Sequence, residues 1–278
     1  MVASNFKNWL KAPSNCLIMG IVNTTPDSFS DGGKYNSASE AIDFAYELLH
    51  EGADIIDIGG ESSRPGADPI SAEEETKRIS PLLSELVKNT EATISVDTYK
   101  SSTANHALNN GACLVNDISG LSFDKEMVDT IIRHKAPIVI MHMKGTPKTM
   151  QKNPNYDNVV DEICDFLTNQ VNFAINKGVS SDKIIVDPGI GFGKTLNDNY
   201  EIIAKLNQLC DLGYPVLVGP SRKSFIGVTL GEPVEKRLEG SITAAAMCYY
   251  SGAKILRVHD VKETKKSLSI VKKIIENL

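Results

Sequence analysis

The sequence predicts an α/β protein built as a single (β/α)8 TIM barrel with an N-terminal extension. Short apolar segments rich in Val and Ile recur along the chain, and each is followed by a longer segment with the spacing of an amphipathic helix. Eight such pairs in 278 residues match the usual size of one barrel. The same alternation would fit an open, doubly wound sheet, but the strand count and the chain length favour the barrel.

The predicted strands are almost continuously apolar, as is typical of parallel strands that are covered on both faces. They are expected at about residues 17–22, 54–58, 93–97, 113–116, 137–141, 184–187, 215–218 and 254–258. The helices between and after them are expected at residues 37–50, 71–88, 100–109, 125–135, 158–177, 197–212, 235–251 and 262–278. The first two of these helices begin with a serine followed three residues later by a glutamate, which is the spacing of a capping box.

Residues 1–15 precede the first predicted strand and are interpreted as the N-terminal extension, so the barrel is expected to span residues 16–278. Trp9 is expected to pack this extension against the barrel. No linker rich in Gly, Ser or Pro divides the rest of the chain, which argues against a second domain.

The composition disfavours several classes of partner. The chain has 29 Lys and Arg against 35 Asp and Glu, and its net charge of −6 disfavours a broad interaction with nucleic acid. No apolar run approaches the roughly 18 residues of a membrane helix, and the first residues lack the apolar core of a signal peptide. The five cysteines are scattered and odd in number, which fits a reducing compartment. We therefore expect a cytoplasmic protein that binds neither nucleic acid nor membranes.

Polar side chains stand at or just after the end of every predicted strand. In a barrel these ends meet at one mouth, where barrel enzymes place their chemistry. One Asp or Asn there could be a turn residue, but a set spread over eight strands indicates a site. Its members are Asn23, Asp57, Glu61, Asp97, Asn116, Asp117, His142, Asp187, residues 221–224, Arg257 and His259.

Three members of this set stay open to simpler interpretations. Asp57 and Glu61 could act as an acid and a base, or Asp57 could only fix the second loop. His142 is interpreted as a satisfied strand-end residue, because nothing pairs it with a nucleophile.

Asp97, Asn116 and Asp187 form one chemical group within the set. A buried carboxylate needs a partner. A flat heterocycle with two adjacent N–H donors matches the two oxygens of a carboxylate in one plane. These residues therefore favour a ligand of that kind.

A second group suits an anion, because it concentrates basic side chains in a protein that is acidic overall. Its members are Arg64, Lys223, Arg257 and His259. Asn23 adds an amide oxygen, which is a plausible ligand for Mg²⁺ held mainly by phosphate oxygens.

The segment G-I-G-F-G-K-T at 189–195 resembles a phosphate-binding loop but fails its pattern. A P-loop needs a glycine at the position of Pro188, and the dinucleotide pattern needs one at the position of Lys194. The glycines are better explained by a sharp turn beside a ligand. Phe192 could project over the mouth or simply pack.

Eight motifs, in order, resemble those of the dihydropteroate synthase family, and the resemblance runs from about Leu17 to the C-terminus. They are N-T-T-P-D-S-F-S-D-G-G at 23–33, I-D-I-G-G-E-S-S-R-P-G at 56–66, S-V-D-T at 95–98, V-N-D-I-S-G at 115–120, M-H-M-K-G-T-P at 141–147, D-P-G-I-G-F-G-K at 187–194, S-R-K-S-F-I-G at 221–227 and R-V-H-D at 257–260. Eight motifs in one order are highly specific. Ser63 departs from the pattern, since the family often has Thr there, but the hydroxyl is kept.

The resemblance implies a transferase of folate biosynthesis on a pterin-binding TIM barrel. Such an enzyme condenses 6-hydroxymethyl-7,8-dihydropterin pyrophosphate with 4-aminobenzoate, giving 7,8-dihydropteroate and pyrophosphate, with Mg²⁺ as cofactor. The family is the target of sulfonamides, which mimic the aminobenzoate. It also implies a homodimer formed through helices remote from the mouth.

The resemblance further implies a role for each matching residue. The pterin would be held by Asp97, Asn116, Asp187 and Lys223, and Mg²⁺ in part by Asn23. The pyrophosphate would be surrounded by Ser63, Arg64, Arg257 and His259. The aminobenzoate would be framed by Phe29, Pro65, Phe192 and Ser224, while Asp31 would order the first loop. The implied catalytic residues are Lys223, Arg257, His259, Arg64 and Asp31.

Three alternatives are weaker. A pterin-binding methyltransferase domain would share the Asp-Asn-Asp set but would lack the first loop motif and the basic group. A non-catalytic pterin-binding paralogue would be expected to lose some of Asn23, Lys223, Arg257 and His259, and all are present. A Schiff-base aldolase would need Lys223 in an apolar pocket, whereas it lies in an S-R-K-S segment.

Overall fold

The structure, a computed structural model, describes residues 1–25 and 37–277. Within them, eight parallel strands form one sheet in the order β6-β5-β4-β3-β2-β1-β8-β7. A parallel bridge between Val186 and Val216 joins the two ends of that order and closes the barrel. The strands are β1 (Leu17–Asn23), β2 (Ile55–Gly59), β3 (Thr93–Asp97), β4 (Leu114–Asp117), β5 (Ile138–Met141), β6 (Ile184–Asp187), β7 (Leu217–Val218) and β8 (Ile255–Val258). The predicted (β/α)8 barrel is confirmed, and the open sheet is wrong.

The helices surround this barrel, with one further helix before β1. They are α1 (Ala3–Lys11), α2 (Ser37–Glu51), α3 (Ala72–Asn89), α4 (Ser101–Asn109), α5 (Met127–His134), α6 (Val159–Lys177), α7 (Leu196–Ala204), α8 (Leu206–Cys210), α9 (Ser224–Leu230), α10 (Leu238–Tyr250) and α11 (Val261–Ile275). Ser71 caps α3 as its sequence predicts, because its side chain accepts a hydrogen bond from Glu74 N. None of the helices described combines the length and apolar character needed to cross a membrane.

Two helices were not predicted, and one predicted helix is divided. Helix α1 carries apolar residues at the helical spacing of Phe6, Trp9 and Leu10, a signal that sequence analysis left unused. Helix α9 contains Gly227 and has no clear polar face, so its seven residues give a weak pattern. The helix expected at 197–212 is interrupted at Lys205.

Successive strand residues point alternately toward the helices and into the barrel. Outward residues such as Ile56, Val115 and Ile138 form the main core with the helices. Inward residues at the amino ends of the strands form a second core. This second core contains Leu17, Met19, Ile55, Leu114, Val139, Ile185, Leu217 and Ile255.

Helix α1 closes the amino end of the barrel. Phe6, Trp9 and Leu10 belong to the inward core, and the rings of Phe6 and Trp9 stack with centroids 5.9 Å apart. Trp9 Nε1 donates to Asn15 O at 3.1 Å. Trp9 therefore packs the N-terminal segment against the barrel, as its sequence predicts.

Candidate active site

The carboxyl ends of the strands bring a buried ion cluster together at the opposite end of the barrel. Arg257 on β8 donates from Nε to Asp57 Oδ2 at 2.6 Å and from Nη2 to Asp97 Oδ2 at 2.7 Å. The Asp57 side chain has no exposed surface, and that of Asp97 is 9% exposed. One guanidinium thus bridges two carboxylates that would repel each other if they were unpaired. Asp57, whose role the sequence left open, holds Arg257.

Asn116 on β4 adjoins this cluster and presents an unused acceptor. Its Nδ2 donates to Asp57 Oδ2 at 3.2 Å. Within the described part of the chain, Asn116 Oδ1 and Asp57 Oδ1 are buried and accept no hydrogen bond. Buried polar atoms are normally paired, so a ligand that donates N–H groups would complete the arrangement.

Asp187 on β6 supplies a further carboxylate at the same mouth. Its Oδ1 accepts a 2.6 Å hydrogen bond from Gly189 N. Burial raises the pKa of Asp187 to about 6, against the lowering effect of that hydrogen bond and of Lys223. Burial likewise raises the pKa of Asp97 to about 7, and the positive charge of Arg257 only partly opposes the shift.

Lys223 lies between these acids and an aromatic ring. Its Nζ is 4.1 Å from the centre of the Phe192 ring. Burial and the charge of Arg257 lower its pKa to about 8, while Asp187 and Asp97 act in the opposite direction. Phe192 is 9% exposed and packs against Ile118, Met141 and Met150. Phe192 therefore packs in this apolar cluster and also makes a cation–π contact with Lys223 at the mouth.

The loop after β6 is shaped by glycines with positive φ. At Gly189, with φ of 68°, a Cβ atom would lie 2.0 Å from His142 O. Lys194 stabilises this loop, because its buried Nζ donates to His142 Nδ1 at 2.8 Å and to Phe192 O at 3.1 Å. Burial, with Lys194 nearby, lowers the pKa of His142 to about 2. His142 is thus a satisfied strand-end residue, whereas the buried role of Lys194 escaped sequence analysis.

His259, just after β8, is coupled to Ser221, just after β7. Ser221 Oγ accepts from His259 N at 3.3 Å and lies 3.1 Å from His259 Nδ1. The serine hydrogen can therefore go to Nδ1, which leaves the proton of a neutral ring on Nε2. Burial and the charges of Arg222 and Arg257 lower the pKa of His259 to about 3. Near neutral pH His259 is thus a neutral donor and does not add a positive charge.

The second loop, after β2, lies at the rim. Ser63 lines a small cavity with Glu61 and Asp97. In contrast, Arg64 and Pro65 are exposed, whereas the side chain of Arg257 is 17% exposed. Ser224 is likewise exposed, at the first position of α9.

Glu61 anchors this loop. Its Oε2 accepts from Lys100 Nζ at 2.6 Å and from Ile70 N at 2.8 Å, and its Oε1 accepts from Tyr99 OH at 2.6 Å. With these oxygens fully engaged, Glu61 is a structural residue and not a free acid or base.

The remaining predicted residues belong to the first loop. Phe29 and Asp31 lie outside the described residues. Asn23 ends β1 beside Gly59, where an added Cβ would come within 3.2 Å of Asn23 Oδ1. Gly59 therefore leaves room around this amide oxygen.

Among residues 1–25 and 37–277, no three His, Cys, Asp or Glu side chains lie close enough together to hold a metal ion. Asn23 Oδ1 is a hard oxygen donor of the kind Mg²⁺ accepts, but it is a single one. This donor set fits a metal ion that a phosphate-bearing substrate carries with it, and it does not fit a resident metal cage.

A separate cavity of about 550 Å³ opens at the other end of the barrel. Its lining includes Leu10, Lys11, Asp182, Tyr214 and Lys254. None of the residues predicted for the site lines it, so it is distinct from the mouth.

The fold and the site together define a class of protein, the pterin-binding enzymes. Residues 19–259 match that family, over most of the length of the barrel, and the chain belongs to it.

Within that family, the similar proteins are dihydropteroate synthases. The one from Haemophilus influenzae is 44% identical over 267 residues, which cover 94% of this chain and 97% of the relative. The predicted resemblance, and the prediction that the chain is a transferase of this kind, are confirmed.

Three solved structures of dihydropteroate synthases share the fold. The Xanthomonas albilineans enzyme with 4-aminobenzoic acid has a TM-score of 0.89 and 41% identity over 94% of each chain. The enzyme from that organism in complex with 7,8-dihydropteroate has a TM-score of 0.87 and 38% identity over 95% of each chain. The Yersinia pestis enzyme with a sulfonamide drug has a TM-score of 0.90 and 39% identity over 95% of each chain.

Proposed function

We propose that this chain condenses 6-hydroxymethyl-7,8-dihydropterin pyrophosphate with 4-aminobenzoate, giving 7,8-dihydropteroate and pyrophosphate. One observation carries the proposal. The buried acceptors of Asp97, Asn116 and Asp187 share a mouth with the cations of Lys223 and Arg257. A ligand that donates N–H groups at one end and bears an anion at the other matches that mouth. The ligands of the similar Xanthomonas albilineans structures support the same substrates.

The pterin end is recognised by the carboxylate and amide oxygens. Asp187 and Asn116 Oδ1 accept hydrogen bonds from the pterin N–H edge, and Asp97 does so once its contact with Arg257 is exchanged for the ligand. Lys223 donates to the pterin carbonyl and ring nitrogen, and Phe192 keeps its ammonium group in place through a cation–π contact.

The pyrophosphate end is bound by Arg257 and His259, with Ser63 and Arg64 closing from the rim loop. His259 approaches as a neutral Nε2–H donor, and Arg257 supplies the fixed positive charge. Asn23 Oδ1 contributes one ligand to Mg²⁺, which, when bound with the substrate, neutralises part of the charge on the leaving pyrophosphate.

The reaction breaks the bond between the pterin methylene carbon and the pyrophosphate oxygen. The oxygen keeps the electron pair, and the dihydropterin ring delocalises the positive charge left on the methylene group. The lone pair of the aromatic amine then forms the new C–N bond, and the amine loses its proton to solvent. An aromatic amine is neutral at pH 7, so no strong general base is needed. The donors of the basic group act by stabilising the charge that develops on the leaving group.

The 4-aminobenzoate site is expected at the rim, between Pro65, Phe192 and Ser224, with Phe29 and Asp31 contributing from the first loop. Sulfonamides would compete there. Closure of the loops over the bound pterin would exclude water from the cationic intermediate.

The decisive experiment measures pyrophosphate release from the dihydropterin substrate and Mg²⁺, with and without 4-aminobenzoate. Release that depends on the amine, with 7,8-dihydropteroate as the product, is expected. Release that ignores the amine would point to a different acceptor.

The metal role has its own test. Asn23→Ala is expected to raise the Mg²⁺ concentration needed for half-maximal activity, because one of the ion's oxygen ligands is removed. Identical metal titrations of the variant and the parent protein would contradict metal ligation by Asn23.

We also propose a homodimer formed through the carboxyl-terminal halves of α10 and α11, away from the mouth. Large apolar side chains there are exposed, with Ile270 at 65%, Ile274 at 54% and Tyr250 at 52%. Light scattering at micromolar concentration should give the mass of a dimer. Ile270→Asp should give a monomer, whereas Val87→Asp, on the distant α3, should not. A monomeric parent protein would refute the proposal.

The five cysteines favour a cytoplasmic location. All are free thiols. Unpaired thiols suit a reducing compartment.

A further inference from the structure

A network of four residues fixes the backbone of the segment 221–224. Arg222, Arg237, Ser241 and Asp260 make these contacts, and we call the four residues the outer clasp. The family resemblance gives none of these four residues a contact with substrate. Their contacts nevertheless converge on the backbone that carries Lys223.

The first observation is the backbone conformation of Arg222. Its φ is 56°, in the left-handed region. This region is sterically unfavourable for a residue with a Cβ atom, and it is kept only where the surroundings impose it. Ser221 and Lys223, on either side of this turn, both contribute to the mouth, while the side chain of Arg222 pairs with Asp260.

The second observation is a two-bond ion pair. Arg222 Nε donates to Asp260 Oδ2 at 3.1 Å, and Nη2 donates to Asp260 Oδ1 at 2.5 Å. Asp260 directly follows His259, and its side chain is 14% exposed. The pair therefore ties the residue before Lys223 to the residue after His259. Its two parallel bonds fix orientation as well as distance.

The third observation is that both backbone groups of Arg222 are also held. Arg222 N donates to Ser241 Oγ at 2.8 Å. Arg237 Nη1 donates to Arg222 O at 3.1 Å and to Lys223 O at 3.4 Å. Gly227 makes room for this guanidinium, since a Cβ there would lie 2.2 Å from it. The left-handed turn is thus fixed by its side chain, its N–H and its carbonyl.

We propose that the outer clasp is a positioning device, in which the Arg222–Asp260 pair fixes Lys223 and His259 in one geometry for the pterin and the pyrophosphate. The inference rests on the proposed function and deepens it, because it assigns residues that touch no substrate to the alignment of two that do. A small displacement of positioned groups can cost two orders of magnitude in rate.

The test compares Arg222→Ala and Asp260→Asn with the parent protein. Each should raise KM for the pterin pyrophosphate about tenfold and lower kcat/KM by about 10–100-fold, because alignment is lost while the substrate contacts remain. KM for 4-aminobenzoate should rise less, because Ser224 is the only one of its proposed contacts that lies in the held segment. The double variant should be no worse than either single variant, because the two residues act as one pair. Arg133→Ala, on the remote α5, is the matched control and should match the parent protein.

A second variant separates the ion pair from the backbone strain. Arg222→Gly removes the side chain but adopts a positive φ freely. It should still show the raised KM if the ion pair aligns the site. If Arg222→Gly and Asp260→Asn both keep the parent's KM, the proposal is overturned.

The alkaline limb of the pH profile gives a readout that general destabilisation would not move. Lys223 must be protonated to act as a charged donor, and burial lowers its pKa to about 8. Loosening the clasp should expose it and move the limb toward the value near 10.4 of a free lysine. An unchanged limb in Asp260→Asn would overturn the proposal.

A spectroscopic version remains available if the parent protein lacks the proposed activity. The Lys223 signal of protein labelled with ¹³C at the lysine ε-carbon, assigned with Lys223→Arg, titrates without any substrate. Its midpoint should rise in Asp260→Asn and stay in place in Arg133→Ala. A midpoint that does not move in Asp260→Asn would overturn the positioning role independently of the reaction.

Discussion

The two halves of the barrel interior are built from the same strands but differ completely in chemistry. Ile55, Leu114, Ile185 and Ile255 fill the lower half together with α1. Two residues further along the same strands stand Asp57, Asn116, Asp187 and Arg257. A strand returns to the same side every second residue, so one step of the pleat separates packing from chemistry. The lower half favours the folded state, while the upper half keeps desolvated polar groups for a ligand.

The largest effect expected from this division concerns Lys223. Lys223→Met should lower kcat/KM by about 10³-fold, because a preorganised charged donor is lost in a desolvated site. The free energy of unfolding should not fall, since burying the ammonium group costs stability. Steady-state kinetics and urea unfolding would measure both quantities.

Lys125→Met is the matched control for this variant, because Lys125 is exposed. It should leave both quantities unchanged. A marked loss of stability in Lys223→Met would show that the upper half also holds the fold together.

The converse effect is expected in the lower half. Leu114→Ala removes a fully buried side chain and should lower the free energy of unfolding by about 3 kcal/mol. Well below the melting temperature, kcat/KM should stay within about twofold of the parent value. Phe173→Ala, at a 38% exposed position on α6, should cost clearly less. Loss of activity without loss of stability in Leu114→Ala would contradict this division of roles between the two halves of the barrel interior.

The pH dependence of stability should sharpen the comparison. The pKa of Asp187 is about 6 in the folded protein and near 4 in an unfolded chain. The folded state therefore binds this proton more tightly, and stability should rise as the pH falls from above 6 toward 4, by at most about 3 kcal/mol from this group. Thermal unfolding at several pH values compares the stability of Asp187→Asn with that of the parent protein. The stability advantage of the variant should shrink as the pH falls. A difference independent of pH would contradict the raised pKa.

The smallest effect is expected at the outer rim, where Lys148 Nζ lies 2.6 Å from Asp68 Oδ1. Both side chains are largely exposed, and exposed pairs contribute little to stability. Asp68→Asn should therefore leave the melting temperature unchanged within error. A clear decrease would mean that the rim loops stabilise the barrel.

The barrel could be predicted from the sequence because hydrophobic runs and helical spacing are local signals that do not depend on tertiary contacts. The convergence of several polar residues at one mouth could be predicted as well, because a closed barrel brings the carboxyl ends of its strands together. These residues are Asp97, Asn116, Asp187, Lys223 and Arg257. The pairing of Arg257 with Asp57 and Asp97 could not be predicted, since it depends on which of several acids the guanidinium reaches.

Other features were missed for identifiable physical reasons. The neutral state of His259 follows from burial and nearby cations, which sequence spacing does not show. The buried Lys194 was considered only as part of a failed phosphate loop, although its Nζ reaches His142 across the site. The left-handed Arg222 has no sequence signal, because glycine is the usual residue for that conformation.

The position of α1 has a consequence for the order of folding. The helix precedes all eight strands in the chain, yet its seat is lined by residues from β1 through to β8. Docking of α1 therefore depends on contacts between residues that are far apart in the sequence. Such contacts form late in folding, because the long loop between the residues must close first and this costs conformational entropy. Protection of α1 backbone amides in pulsed hydrogen exchange should thus report the moment at which the last strand joins the first.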